Sequence, residues 1–206
     1  HVHGIVYVKE QLPKPVGASI RGFKSGATSA VRHLLGDPAL EVWEDGYHDR
    51  VIMNADTLRA ERDYIRDNPR RYCVRQAHPD LFVRVDLLDS PRLPPGMAWA
   101  GFGNRFLLEK PELMPVQVSR RASAHEVAEL RAEALDQAQR GTVMVSPFIS
   151  PGEKEIAVAV MQQDYGSLIL FKPEGFPPLY KPSKAYFDLC AQGRLLVLSP
   201  FVYTGR

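Results

Sequence analysis

The segment SAHEVAELRAEALDQAQRGTVMVSPFISPG (residues 123–152) decides the fold. It opens with Ser123 and, three residues later, Glu126, which is the pattern of a capping box at a helix N-terminus. A helix over about 124–140 is therefore expected. A short apolar run typical of a buried strand follows at 142–145, and residues 146–152 form a loop. A helix, a strand and a loop in this order indicate an α/β domain.

The flanking segments repeat this arrangement. A short strand is expected at Val116–Val118, before the first helix, and further elements follow the loop. These are a helix over about 153–162, a strand at Ser167–Phe171, a helix near 183–192 and a last strand at Leu195–Leu198. Three repeats of strand, loop and helix predict a parallel sheet with covering helices.

The first 70 residues predict a different arrangement, with strands and helices less regularly spaced. The expected elements are a strand over 2–8, a helix over 20–35 with Ser19 as N-cap and Gly36 at its end, a short strand within 41–53, and a helix over 55–67 capped by Asn54 and stopped by Pro69. A proline-rich stretch then separates the two halves. We therefore expect domains at 1–86 and 101–206, joined by a linker at 87–100.

Composition leaves the function open. The 206 residues are 45% apolar and 24% charged, as in ordinary globular proteins, and the net charge is +2, which does not decide for or against nucleic acid. No run approaches the roughly 18 apolar residues of a membrane helix, so no membrane partner is expected. Cys73 and Cys190 lie far apart, which predicts buried thiols in a reducing, cytoplasmic environment.

The chain starts inside an alternating strand pattern and without Met, which indicates that its N-terminus is incomplete. On that strand, His1 and His3 are two residues apart and project from the same face, so their imidazoles could hold one metal ion. By itself such a pair of histidines is a weak signal, because the spacing also arises by coincidence or from an affinity tag.

Residues 1–72 resemble the REP-associated tyrosine transposases, which are single-tyrosine HUH nucleases. The matching pieces stand in the family's order and spacing: HVHG (1–4), SIRGFKSGAT (19–28), VWEDGYHDRVI (42–52) and RDYIRDNP (62–69). The resemblance implies an α+β domain with a ferredoxin-like sheet. The strand and helix that precede the HUH motif in the family are absent, so the domain is expected to be truncated, and either open or completed by a partner chain.

The resemblance also implies a chemistry. His1 and His3 match the metal ligands, Asn68 matches the third ligand, and Tyr64 matches the nucleophile. Two imidazoles and an amide oxygen suit Mg²⁺ or Mn²⁺. The implied function is cleavage and rejoining of single-stranded or hairpin DNA through a 5′-phosphotyrosine, by a protein that is commonly a homodimer in the family. The alternative for Tyr64 is a half-buried helix tyrosine that packs on the sheet.

Other residues in the matching stretches are candidates for holding DNA. Phosphate contacts are expected from Arg21, Lys24 and Arg50, and stacking on unpaired bases from Trp43, Tyr47 or His48. The alternatives are solvated helix charges and core packing, and for Trp43 core packing is favoured.

Residues about 101–201 resemble, more loosely, the Rossmann-like domain of DNA-processing protein A (the Smf family). The matching pieces are GNRFLL (103–108), VSRRAS (118–123), GTVMVSPFISPGEK (141–154) and GRLLVLSP (193–200). That family binds single-stranded DNA with loops at the carboxyl ends of its strands. The resemblance therefore predicts an α/β chain made of a truncated ferredoxin-like HUH domain followed by a Rossmann-like parallel-sheet domain. GxGxxG is absent, so a dinucleotide site is not supported.

At this crevice the expected residues are Ser119, Arg120, Ser146 and Ser150. The helix N-termini after residues 123 and 152 are expected to offer free amides to a phosphate. Alternatively, these serines only cap helices. The whole chain then has a second interpretation beside the nuclease, as a non-catalytic protein that binds single-stranded nucleic acid or a nucleotide and carries a decayed HUH half.

Overall fold

A computed structural model describes residues 2–11 and 13–205 of the chain. It divides into two compact units, His1–Pro69 and Arg70–Arg206. Within the described residues, no helix is long and apolar enough to cross a membrane.

The first unit contains helix α1 (Val16–Leu35) and most of helix α2 (Ala55–Ala77), joined by irregular segments. None of its described residues is buried, and the most enclosed are half-buried. The strands expected over 2–8 and within 41–53 are not formed. A strand needs hydrogen-bonding partners for its backbone, and even a two-stranded hairpin is only marginally stable. The ferredoxin-like sheet is therefore not present in the described part of this unit.

In the first unit, the predicted end of α1 and the predicted start of α2 are confirmed, whereas α1 begins earlier than expected and α2 ends later. α1 begins after Pro15, four residues before the expected cap Ser19, and ends at Gly36, whose φ of +66° closes the helix in the left-handed conformation. The expected cap of α2 is confirmed, because Asn54 Oδ1 accepts a hydrogen bond of 2.8 Å from Thr57 N.

α2 does not stop at Pro69, as expected, but continues to Ala77. A proline inside a helix costs about 3 kcal/mol, so the last turns need other contacts. In the second unit Arg70 forms an ion pair of 2.7 Å with Asp188, and the Arg71 guanidinium lies 4.4 Å from the centre of the Phe187 ring. These contacts stabilise the turns beyond Pro69, which explains why the prediction from local sequence ended the helix too early.

The second unit is built on a six-stranded sheet. Its strands are β1 (Arg84–Val85), β2 (Ala100–Gly103), β3 (Leu113–Pro115), β4 (Val143–Ser146), β5 (Ser167–Phe171) and β6 (Leu195–Ser199), in the order β1-β2-β6-β5-β4-β3. β3 to β6 are parallel, which confirms the expected parallel sheet. β2 pairs antiparallel with β6, and β1 with β2. These two strands were not predicted.

Three helices connect the parallel strands: α3 (Ala124–Gln139), α4 (Pro151–Gln162) and α5 (Lys184–Ala191). All three pack on one face of the sheet, where residues such as Met144 and Leu168 meet Ile156 of α4 and Cys190 of α5. Consecutive strands are neighbours, so the crossovers all run in one direction, and right-handed crossovers of this kind place their helices on the same side. The expected strand at 116–118 lies three residues earlier, at β3, while Val116 and Val118 are buried beyond its end.

The opposite face of the sheet is covered by chain without regular strands or long helices. Leu93 and Trp99 pack there with Leu107 and Leu108, against strand residues that include Ile169 and Leu198. Leu93 and Trp99 belong to the proline-rich stretch expected to be a linker at 87–100, so this stretch lies inside the second unit and forms part of its core. Separate functions for residues 1–86 and 101–206 stay a prediction.

Candidate nucleic-acid interface

The carboxyl ends of β3 and β4 border a concave site in the second unit. The loops after these strands and the first turn of α4 line an open cavity of about 620 Å³, within the size range of small-ligand sites. It is lined by Gln117, Val118, Ser119, Arg120, Pro147, Ile149, Ser150 and Glu153. Three of the four residues expected at this crevice, Ser119, Arg120 and Ser150, therefore lie together.

The loop after β3 is a tight turn that presents two arginines. Ser119 Oγ accepts a hydrogen bond of 3.1 Å from Arg121 N, and Ser119 O accepts one of 3.1 Å from Ala122 N. Arg120 and Arg121 are exposed, and within residues 2–11 and 13–205 neither guanidinium has a hydrogen-bond or ion-pair partner. Most other arginines of the unit are paired, as Arg131 is with Glu155. The turn thus holds two available cations beside the cavity.

Ser146, the fourth expected residue, does not line the cavity. Its side chain is 2% exposed and its Oγ accepts a hydrogen bond of 3.0 Å from Phe148 N. Phe148 has a φ of +49° and is buried, so it occupies the left-handed region, which is unfavourable for a bulky residue. Ser146 therefore shapes the loop that carries Pro147 and Ile149 into the cavity wall.

Glu153 joins both loops from the first turn of α4. Its Oε2 accepts hydrogen bonds from Ile149 N (2.8 Å) and Ser150 N (3.1 Å), and its Oε1 accepts one from Val118 N (3.3 Å). Ser150 Oγ in turn accepts from Glu153 N at 3.2 Å, which completes a capping box. A single carboxylate that is 7% exposed thus fixes the geometry of the site.

The amides at the two helix N-termini have different partners. The carboxylates of Glu153 and Glu126 bind amides that precede the helices, namely Ile149 N and Ser150 N at α4 and Ser123 N at α3. Inside the first turns, Glu126 N and Glu153 N donate to the hydroxyls of Ser123 and Ser150. The expectation that free amides here bind a phosphate stays a prediction.

Two opposing influences act on the pKa of Glu153, and the net result is a pKa below its ordinary value. Burial raises it, but the backbone hydrogen bonds from Ser150, Ile149 and Val118, with the Ser150 hydroxyl, together outweigh burial. Glu153 is therefore ionised at neutral pH, and as an ionised carboxylate it only accepts hydrogen bonds.

In the first unit, the structure brings together part of the expected nuclease site. The rings of His3 and Tyr64 meet edge to face with centroids 5.5 Å apart. Tyr64 and Asn68 are half-buried on α2 and lie four residues apart, hence on one helical face. His1 lies outside the described residues.

The expected DNA-holding residues of this unit fall into two groups. Lys24 and Trp43 are engaged internally: Lys24 Nζ donates to the carbonyls of Glu44 and Gly46 at 2.9 and 3.0 Å, and Trp43 Nε1 donates to Lys24 O at 3.0 Å. The Trp43 ring also packs against Phe23. Trp43 is half-buried, and these contacts give Lys24 and Trp43 internal partners, while their expected roles toward DNA stay predictions.

Arg50 is likewise paired, with Glu61. The Tyr47 hydroxyl packs over Gly17, where an added Cβ would come within 2.8 Å of it, although half of the Tyr47 surface stays exposed. Arg21 and His48 are exposed. Their expected roles toward DNA stay predictions.

No group of three His, Cys, Asp or Glu side chains able to hold a metal ion occurs in the described part of the chain. Of the three expected ligands, His3 and Asn68 are described, and they offer one imidazole nitrogen and one amide oxygen. The expected Mg²⁺ or Mn²⁺, the hairpin DNA and the homodimer stay predictions.

Sequence reasoning missed Glu153 and Arg121. The signal for Glu153 was available, because Ser150 and Glu153 have the spacing of a capping box before an apolar run. For Arg121 there was no local signal that its guanidinium is unpaired, since that depends on which acidic residues the fold brings near.

The chain has distant likenesses among solved structures. DNA processing protein A from Helicobacter pylori, whose structure describes its single-stranded DNA binding mode, gives a TM-score of 0.45 and 20% identity, over 60% of this chain and 58% of that one. DNA processing protein A from Streptococcus pneumoniae gives a TM-score of 0.42 and 17% identity, over 86% and 62%. This chain thus spans less than two thirds of either protein. No family model and no curated protein matches it. With TM-scores below 0.5, its function has to be argued from its own residues.

Proposed function

We propose that the second unit binds single-stranded nucleic acid at the carboxyl ends of β3 and β4. The observation that carries this proposal is the pair of exposed guanidiniums of Arg120 and Arg121, which have no partner among the described residues, beside a cavity of about 620 Å³. Guanidiniums bind phosphates, and their release of counterions drives non-specific nucleic-acid binding. The cavity beside them takes an unpaired base, with Pro147 and Ile149 as apolar contacts.

Single strands fit this site better than a duplex. Their bases are unstacked and reach a pocket next to the backbone, whereas bases in a duplex are held inside the helix. The pocket lies immediately beside the arginine turn, since Arg120 itself lines it. A phosphate and its own base can therefore be held at adjacent points of one site.

The test measures binding of a fluorescent single-stranded oligonucleotide of about 15 nucleotides by anisotropy at several salt concentrations. Replacing both arginines, Arg120→Gln and Arg121→Gln, should weaken binding and reduce the slope of log K against log salt by about 1.4, or about 0.7 for each phosphate contact to a single strand. Unchanged affinity and slope would overturn the proposal.

The chain provides a matched control for lost charge. Arg140 follows α3 at its carboxyl end, about 24 Å along a 16-residue helix from the Ser119 turn. Arg105 follows Asn104. The Asn104 side chain donates a hydrogen bond from Nδ2 to the carbonyl of Gly193, two residues before β6 begins, which places Arg105 near the start of that strand. Both arginines lie near the amino ends of the parallel strands, away from the proposed site at their carboxyl ends. The double variant Arg105→Gln, Arg140→Gln should therefore bind as the wild type does.

A second candidate function is favoured by one observation, the edge-to-face contact of His3 with Tyr64. In that function the Tyr64 oxygen attacks a phosphodiester phosphorus, the bond to the 3′ oxygen breaks, and that oxygen leaves as a 3′-hydroxyl after taking up a proton. A divalent ion held by His3 and Asn68 would polarise the phosphate. Incubation with hairpin DNA and Mn²⁺ should then give a covalent protein–DNA band that Tyr64→Phe abolishes, and a folded wild type without a band would exclude this function.

A further inference from the structure

One side of helix α2 in the first unit carries three exposed arginines. At about 100° per residue, Arg59, Arg62 and Arg66 fall within about 60° of one another around the helix axis. In the described part of the chain, none of the three guanidiniums has a hydrogen-bond or ion-pair partner. Arg50, by contrast, is paired with Glu61, which lies on the opposite side of the same helix. Arg59, Arg62 and Arg66 together form the arginine face of α2.

The acidic residues beside the arginine face do not neutralise it. Asp56 and Asp63 are exposed on α2, but both lie to one side of the three arginines, and among the described residues neither carboxylate forms an ion pair. The arginines contribute +3 and the two aspartates −2, so this side of the helix keeps a net positive charge. A partner that complements it is an anion.

The other exposed side chains of this segment narrow the class of partner. Between residues 55 and 66 they are Ala55, Asp56, Ala60 and Asp63. A helix that lies on a membrane carries Trp, Phe or Leu beside its cations, and the core of a protein interface is rich in aromatic side chains. Neither kind of side chain is exposed within residues 55–66. The arginine face therefore fits a partner that is bound through charge.

Among nucleic acids, a double strand fits this face better than a single strand. Proteins that bind single strands stack the bases on aromatic side chains, and Tyr64, the aromatic residue of this segment, is half-buried on the other side of the helix. A duplex presents about one phosphate charge per 1.7 Å of its axis. The roughly 10.5 Å of helix between Arg59 and Arg66 can therefore meet several phosphates, whose oxygens guanidiniums bind in bidentate pairs.

We infer that the arginine face of α2 binds the phosphate backbone of double-stranded nucleic acid. This surface belongs to the first unit, whereas the site proposed for single strands belongs to the second. Phosphate contacts carry no direct sequence information, so the affinity for a duplex should not depend on its base sequence.

The experiment measures binding of the whole chain to a labelled DNA duplex of about 20 base pairs, two turns of the double helix, by anisotropy at several salt concentrations. The double variant Arg62→Gln, Arg66→Gln should weaken binding and reduce the slope of log K against log salt by about 1.8, or about 0.9 for each phosphate contact to B-form DNA. Glutamine has nearly the helix propensity of arginine, so α2 should stay folded, which circular dichroism checks. Unchanged affinity and slope, or no duplex binding by the wild type, would overturn the inference.

Two further variants make the test specific. Asp63→Asn removes a negative charge beside the arginine face and should strengthen duplex binding, an effect that a loss of folding cannot imitate. The matched control Arg105→Gln, Arg140→Gln removes two charges elsewhere and should bind the duplex as the wild type does. Weaker duplex binding by Asp63→Asn, or a loss in the control as large as that in Arg62→Gln, Arg66→Gln, would contradict a site on this face.

The outcomes separate this inference from the proposed function. Arg120→Gln, Arg121→Gln should weaken binding of single strands and leave duplex binding unchanged, and Arg62→Gln, Arg66→Gln should do the reverse. A wild type that binds single strands but no duplex would remove only the inference, and one that binds a duplex but no single strand would remove only the proposed function. An equal loss of both kinds of binding in Arg62→Gln, Arg66→Gln would also overturn the inference, because the face would then not select a duplex.

Discussion

The two capping boxes of the second unit have the same local structure and different surroundings. In the first, Glu126 Oε2 binds Ser123 N and Ser123 Oγ, and all these groups are exposed. In the second, Glu153 is buried, and besides Ser150 it binds Ile149 N and Val118 N, the latter from the loop after another strand. One motif thus only begins a helix, while the other also joins two loops into a cavity.

The difference shows how a local motif acquires a further role. A capping box satisfies amide donors within four residues, whatever lies around it. It becomes part of a site when the fold brings a second loop to the free oxygen of the glutamate. Glu153 does this because Gly152 lets the Val118 side chain approach the start of α4.

The largest expected effect comes from Glu153→Ala. It leaves the amides of Val118, Ile149 and Ser150 without their partner in a mostly buried place, so the free energy of unfolding should fall by about 3 kcal/mol. Urea denaturation of the wild type and of the variant measures this change. Glu126→Ala is the matched control and should cost clearly less, because water reaches its donors; equal losses would mean that the two boxes do not differ.

A smaller effect is expected for Gly152→Ala. An added Cβ would lie 2.5 Å from Val118 Cγ1 and 3.2 Å from Val127 Cγ2, and the buried, β-branched Val118 has little room to move. Overpacking of this kind should cost about 2 kcal/mol in the free energy of unfolding. The equivalent position in the first box is His125, which is exposed, and His125→Ala should stay within about 0.5 kcal/mol of the wild type. A Gly152→Ala protein as stable as the wild type would contradict the close approach.

Ser123→Ala tests the exposed box alone. It removes the oxygen that accepts from Glu126 N at 3.3 Å, and loss of such a cap costs about 1 kcal/mol. The change should appear in the unfolding curve while oligonucleotide affinity stays near that of the wild type. A large loss of binding would show that the first box also belongs to the site.

The smallest expected effect is on the pH dependence of stability. The pKa of Glu153 is lowered in the folded state by its backbone hydrogen bonds, despite burial. A lowered carboxyl pKa contributes stability above the unfolded-state pKa, and that contribution is lost as the pH falls through the folded-state pKa. Unfolding measured between neutral pH and acid pH should therefore show a shallower acid decline for Glu153→Gln than for the wild type. An unchanged acid decline would argue that the carboxylate gains nothing from its amide partners.

Much of the parallel half of the second unit could be predicted from sequence. The strand of residues 167–171 and the capping box at Ser123 are confirmed, because period and capping depend on residues a few positions apart. β1 and β2 were missed, since strands of two and four residues show too little alternation and form only by pairing, β2 with β6 and β1 with β2. The end of α2 was misplaced for a similar reason, because Phe187 and Asp188 hold the turns beyond Pro69.

The candidate site was predicted less completely. Ser119, Arg120 and Ser150 were expected at the crevice and do line it, whereas phosphate binding by the amides of the helix N-termini stays a prediction. In the first unit the contact of His3 with Tyr64 joins two residues that the sequence placed in one site. Their role there stays a prediction.

The sequence by itself determined the succession of strands and helices from β3 to β6 and the capping box of α3, because these follow from hydrophobic period and from hydrogen bonds between near neighbours. Only the tertiary structure decided that Glu153 is buried against the loop of Val118 and that Arg120 and Arg121 stay unpaired within residues 2–11 and 13–205. It also decided that residues 93 and 99 cover the second face of the sheet, and that residues 2–8 form no strand. These features depend on which distant segments meet, since a buried carboxylate, a free guanidinium and a strand are each defined by their partners.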